Sequence, residues 1–184
     1  MEQRAAEKGD GPFQITSASL YEVDEPVHIY EVRTPAIPEG FPVAVVNTGE
    51  GAKVNWENFI NFHDDLFRKF TEGPPGTSGV FHVYVKPETP APGDAESHFV
   101  RFRLSVPMPG REHTAFIRKD SVSLAVLKSN FEGSGEWNKE QADLMLKGTG
   151  GPATLKLSKR KTNDERSYIE IDELVGIGWK PAGK

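Results

Sequence analysis

One stretch of this chain carries a clear helical period, and most of what surrounds it alternates with a period of two. Trp56, Phe59, Ile60, His63, Phe67 and Phe70 recur at the i, i+3, i+4, i+7 spacing of one helix face. Asp64, Asp65, Arg68 and Lys69 mostly take the other face, Asn55 stands where an N-cap belongs, and Pro74 and Pro75 stop the run. The spacing therefore predicts one long helix over residues 56–70. Around it, strands are expected at 13–21, 27–32, 41–47, 80–86, 98–106, 114–119 and 121–128. Weaker strand patterns lie at 153–157 and 168–171, a last strand or coiled end at 174–179, and a short helix at 139–147. The 18 glycines and 14 prolines supply the turns between them. This order predicts an α+β fold, a mixed and largely antiparallel sheet with one long helix. At 184 residues the chain fits one domain: a flexible leader over 1–12, then a single α+β domain over 13–184.

Several function classes are excluded. There is no cysteine, hence no disulfide scaffold, thiol nucleophile or thiolate metal site. No apolar run reaches the ~18 residues of a membrane span, and the first residues lack the apolar region of a secretory signal. The expectation is a cytoplasmic protein with no membrane partner. His28, His63, His82, His98 and His113 show no metal-ligand spacing, so no metal ligand is expected. The Gly148-Thr-Gly-Gly151 stretch lacks the Lys-Ser/Thr of a phosphate loop, and no nucleophile elbow occurs, so no cofactor is expected either. The carboxylate pairs Asp64–Asp65, Glu170/Asp172 and Asp172–Glu173 suit a solvated face as well as a catalytic cleft.

Lysine and arginine total 22 against 27 acidic residues, a net charge of −5. That argues against a general nucleic-acid binder but leaves room for a local basic patch. Two clusters qualify. Residues 156–161 (KLSKRK) can hold phosphate or form a solvated strand edge. Arg101 and Arg103 share a strand face with Phe99, and Phe81, Phe99 and Tyr84 with their basic neighbours are similar to a base-stacking platform. Core packing is the alternative for those aromatics.

Several segments together resemble the plant ribosome-inactivating proteins, the rRNA N-glycosylases, in their cereal type. Trp56-Glu-Asn-Phe59-Ile60 resembles the aromatic-x-x-Phe-Ile opening of that family's first long helix. Val80-Phe-His-Val-Tyr-Val-Lys86 resembles its Trp-Phe-His-Val-Val-Leu-Lys strand. Ile117-Arg118-Lys119-Asp120-Ser121-Val122-Ser123-Leu124, then Lys128-Ser129 and Gly135-Glu136-Trp137, follow the order of the family's Ile-Arg, Asp-Asn, Tyr-Leu, Lys-Ser and Gly-x-Trp. The match spans about residues 41–137, the N-terminal lobe of that fold.

The departures shape what the resemblance implies. The family's adenine-stacking Tyr is replaced by Ser123, which has no π-face. Its Glu-Ala-x-Arg helix has no counterpart; Tyr168 is a second stacking position without an anchor. The implied protein is a defence- or translation-related toxin-like pseudo-enzyme, catalytically inactive or one half of a two-part rRNA N-glycosylase. No catalytic residue is assigned. Ser123 marks the adenine-pocket position, and Arg118, Lys119 and Lys128 are the candidates for ribosome or rRNA contact. The alternative is a non-enzymatic protein-interaction module or homodimer, with Trp137, Leu174 and Trp179 against a partner or second copy.

Overall fold

A computed structural model describes residues 14–24, 26–89, 98–162 and 165–179. The expected leader over 1–12 lies outside these residues. The chain divides into two compact units, the first ending at Phe59 and the second beginning at Ile60.

In the first unit, β1 (Ser17–Asp24), β2 (Val27–Thr34), β3 (Ile37–Thr48) and β4 (Gly51–Val54) form an antiparallel meander in sequence order. The strand β4 is not among those expected. Asn55 caps the helix that follows, as its position implied: its side chain accepts from the amide of Asn58 at 3.2 Å. Asn58 in turn accepts from the amide of Ala44 at 3.0 Å, tying the helix start to β3. The ring of Phe59 lies between Trp56, stacked at 5.0 Å, and Phe41, edge-on at 5.7 Å.

The expected long helix is two short ones. Helix α1 (Trp56–His63) ends at Asp64–Asp65, and α2 (Leu66–Glu72) starts anew. Asp65 has φ 51° and ψ 48°, left-handed values that no helix can pass through. Hydrophobic spacing continues across the break and hides it.

In the second unit five strands close into a barrel: β5 (Ser78–Pro87), β6 (Phe99–Ser105), β7 (Glu112–Arg118), β8 (Gly151–Lys161) and β9 (Ser167–Ile177). The spatial order is β5-β6-β7-β9-β8, returning to β5. β5, β6 and β7 are consecutive antiparallel neighbours, and β8 returns over a long connection to lie beside β5, which is a Greek key. β9 then fills the gap, antiparallel to β8 and parallel to β7. The α+β class holds, but where one mixed, largely antiparallel sheet was expected there are a four-stranded sheet and this closed barrel.

The barrel interior follows from dyad alternation. Val83 and Val85, Phe102 and Leu104, Ala115 and Ile117, Leu155 and Leu157, and Ile169 and Ile171 are all buried. The long connection holds α3 (Val122–Phe131) and α4 (Lys139–Lys147). The short helix expected at 139–147 is α4, opened by a capping box of Asn138 and Gln141. The strand expected over 121–128, which the ribosome-inactivating resemblance also implied, is instead helix α3. Ser121 is its N-cap and accepts from the amide of Leu124 at 3.1 Å. Leu124, Leu127 and Phe131 form its buried stripe. Trp137 lies against Gly151, where an added Cβ would sit 2.0 Å from the indole.

Candidate functional site

The alternation that fills the barrel also dictates its outer surface. With Phe102, Leu104, Ala115, Ile117, Ile169 and Ile171 turned inward, the other parity of β6, β7 and β9 faces out. β6 then presents Phe99, Arg101 and Arg103; β7 presents Thr114, Phe116 and Arg118; β9 presents Tyr168, Glu170 and Asp172. Register makes neighbours of Phe99 and Arg118, of Arg101 and Phe116, and of Phe116 and Glu170. β8 adds Arg160 opposite Tyr168 and Ser158 opposite Glu170.

Three rings meet there. Phe99 and Phe116 lie 6.4 Å apart, Phe99 and Tyr168 6.3 Å, and Phe116 and Tyr168 5.9 Å, every pair edge-to-face. Each is only partly covered. Arginines surround them. Arg118 is 62% exposed and donates from Nε to Glu170 Oε1 at 3.0 Å. Arg160 is 47% exposed; its Nε pairs with Glu170 Oε2, and its Nη2 donates to Asp172 at 2.9 Å. Arg101 donates from Nη2 to the Thr89 carbonyl at 3.1 Å. Arg103 is held more loosely, 3.5 Å from Glu88 and 3.9 Å from Glu112.

The electrostatics follow from these partners. The hydrogen bond to Glu170 raises Arg118 further above its ordinary range, and the bond to Asp172, then Glu170, does so for Arg160. Burial, then the Glu170 charge, pushes Tyr168 up, so its hydroxyl stays a donor; it reaches Glu170 at 3.4 Å. A depression of about 420 Å³ borders the face, lined by His98, Phe99, Arg118, Lys119 and Asp120. Another of about 540 Å³ runs along β8, where residues 75–78 face 158–161. In the second, Lys159 is already spent on the carbonyls of Thr71 and Gly73.

Arg118 and Lys119, two of the expected contact residues, lie at this face, while Lys128 lies in the last turn of α3. Ser123 accepts from the amide of Leu174 at 2.9 Å and tethers α3 to β9. Trp137 and Trp179 are buried by the protein's own residues: Trp179 donates to the Val83 carbonyl at 3.2 Å, and Leu174 is half-buried in β9. Of the aromatics suspected as a platform, Phe81 packs with Phe67 and Phe70, and Tyr84 lies against Trp179; Phe99 alone is on the face. Phe116 escaped the sequence reading, while Arg160 and Glu170 entered it only within the 156–161 basic cluster and the Glu170/Asp172 pair, not as neighbours of the rings. Alternation in residues 112–118 (EHTAFIR) and 167–172 (SYIEID) carries that signal.

No group of three or more His, Asp or Glu among the described residues could hold a metal ion. The carboxylates of Asp65, Glu170 and Asp172 all take guanidinium partners rather than each other. No helix among the described residues is long and apolar enough to cross a membrane. No family model matches the chain, and neither a curated protein nor a solved structure does.

Proposed function

We propose that the barrel unit binds single-stranded nucleic acid across the outer face of β6, β7 and β9. The observation that carries this reading is the triad of Phe99, Phe116 and Tyr168, each left partly exposed, and flanked by Arg101, Arg118 and Arg160. Sequence-tolerant single-strand binding needs that pairing: aromatic planes for bases and cations for the backbone. A sheet surface serving stability alone has no use for three large rings held at the water boundary. The architecture supports the same reading. A five-stranded Greek-key barrel is the OB type, and such barrels take oligonucleotides on the face of their second and third strands. Here those strands are β6 and β7. Fold analogy is only supporting; the side chains make the case.

In use, bases stack on the triad, and the flanking arginines, their charge tempered by Glu170 and Asp172, add a weaker attraction for the backbone. The net charge of −5 makes the affinity depend on this patch and not on the protein's general field. The test is fluorescence anisotropy with labelled oligo-dT and oligo-rU of about 16 nucleotides. Phe116→Ala should weaken binding by about 1–3 kcal/mol, roughly 5- to 150-fold, with the thermal melt still cooperative. Wild-type protein that binds neither oligomer refutes the proposal. So does a Phe116→Ala protein with unchanged Kd. Adenine released from intact ribosomes by the same preparation would instead overturn the inactive reading that the ribosome-inactivating resemblance implied.

A further inference from the structure

We propose that Glu170 is a built-in counter-charge that makes this face prefer single strands over duplexes. The inference rests on the reading of the face given above and deepens it. Glu170 belongs to the outward row of β9, yet its side chain is only 4% exposed. Its two oxygens serve two different arginines: Oε1 takes Arg118 and Oε2 takes Arg160. Asp172 holds a second nitrogen of Arg160. Two guanidinium groups are thus matched by two carboxylates, and the cluster is close to neutral.

A duplex offers mainly phosphates to a protein surface; its base faces are hidden in the stack. A phosphate approaching Arg118 or Arg160 meets a cation whose charge is already answered, so little counterion release follows. A single strand also offers base faces. The Phe99, Phe116 and Tyr168 rings can take those whether or not the arginines are neutralised. Glu170 therefore lowers attraction to phosphate in general and leaves stacking to decide. Anchoring through Nε also ties each guanidinium to the one buried carboxylate. Glu170 is a positioning and specificity residue, not a ligand contact.

The experiment compares wild type, Glu170→Gln and Asp172→Asn by anisotropy, on oligo-dT, oligo-rU and a duplex of equal length, over about 50–150 mM salt. One extra effective cation corresponds to about a 4- to 15-fold gain in affinity across that range, with a salt slope steeper by just under one. Glu170→Gln should show that gain, larger for the duplex because its charge density is higher, so the single-strand preference narrows. Asp172→Asn should move the same way by less, since Asp172 engages only one of the two arginines. It carries the test if the buried Gln impairs folding. Unchanged slope and preference in the folded variants overturn the inference. Weaker binding of every probe overturns it as well, because the carboxylates would then only hold the arginines in place. Both results leave the face itself standing if Phe116→Ala still loses binding. A wild type that binds no probe removes the face and the inference together.

Discussion

Asp65 combines two features that one substitution series can separate. It is a non-glycine residue at φ 51°, and it is the hub of an ion cluster. Arg111 donates to it from both Nε and Nη2, the latter at 2.6 Å, and Arg68 donates from Nε at 2.7 Å. The cluster ties the break between α1 and α2 to the turn before β7. Arg111 is 20% exposed and Arg68 46%, so the first loses more when its carboxylate goes. Stranding a fully buried partner costs about 3–5 kcal/mol, and exposed pairs are worth about 0–1. For this partly covered cluster, Asp65→Ala should lose about 2–4 kcal/mol from the charges, plus about 1–2 for a Cβ without a polar group in the left-handed region. Asp65→Gly loses the charges but not the backbone term. Asp65→Asn keeps a residue that tolerates this conformation and one acceptor. The order of stability should be wild type, Asn, Gly, Ala, read as urea midpoints at constant m. An Ala variant as stable as the Gly variant refutes the backbone half of the reasoning. An Asn variant equal to wild type refutes the electrostatic half. The pH limb follows with its sign. Burial pushes the Asp65 carboxyl up, but Arg111 and Arg68 outweigh it and hold it below the usual 3.8. Its contribution is therefore full above the unfolded value and is lost as pH falls through the lower folded one. Asp65→Asn should flatten that acid limb.

Two further outcomes test the barrel. Gly151→Ala places a Cβ 2.0 Å from the buried Trp137 ring, with little room to shift, so the thermal midpoint should fall by the equivalent of about 3 kcal/mol; an unchanged midpoint would mean the Trp137 seat is wrong. His82 is buried, pairs with Thr154 Oγ1 at 3.0 Å, and is pushed by desolvation from 6.5 to about 4. The unfolded chain then binds more protons between those values, so stability should fall by about 3 kcal/mol as pH drops from 6.5 to 4, and His82→Gln should remove that part of the slope in urea titrations.

What the sequence carried was local, and what it missed was not. Residues 80–86 and 114–118 alternate cleanly and lie in β5 and β7, and residues 139–147 carry their own capping box. Residues 121–128 fail the same logic because they satisfy both periods. Val122, Leu124 and Val126 alternate, while Leu124, Leu127 and Phe131 make a helical stripe. The Ser121 cap and the burial available beside β9 choose the helix. Barrel closure needs Ala115 beside Ile169, a parallel pairing across 54 residues that no window can contain. The face was half legible for a related reason. Phe99, Arg101 and Arg103 sit on one strand, where alternation puts them together. Their partners Phe116 and Tyr168 arrive only through register with β7 and β9.

That dependence on register bears on why the cluster is a site at all. A lone exposed ring on a strand is ordinary, and one arginine pair on a barrel is too. Here three strands each contribute a ring at the one height where the three can touch. All three strands, with β8, contribute the ions that frame them. Edge-to-face pairs add about 0.5–1.5 kcal/mol each, enough to hold the rings in place but far less than burying them in the core would return. A surface optimised for stability would turn them inward or do without them. Their position at the boundary, beside arginines paired to Glu170, is the arrangement that the proposed single-strand face calls for. The oligonucleotide affinity of Phe116→Ala separates the two accounts. If the rings serve only each other, the variant should lose stability in proportion to its lost ring contacts and leave oligonucleotide affinity where it was. If they serve a ligand, the same stability is lost, because Phe116 makes both ring contacts in the free protein, and affinity falls as well.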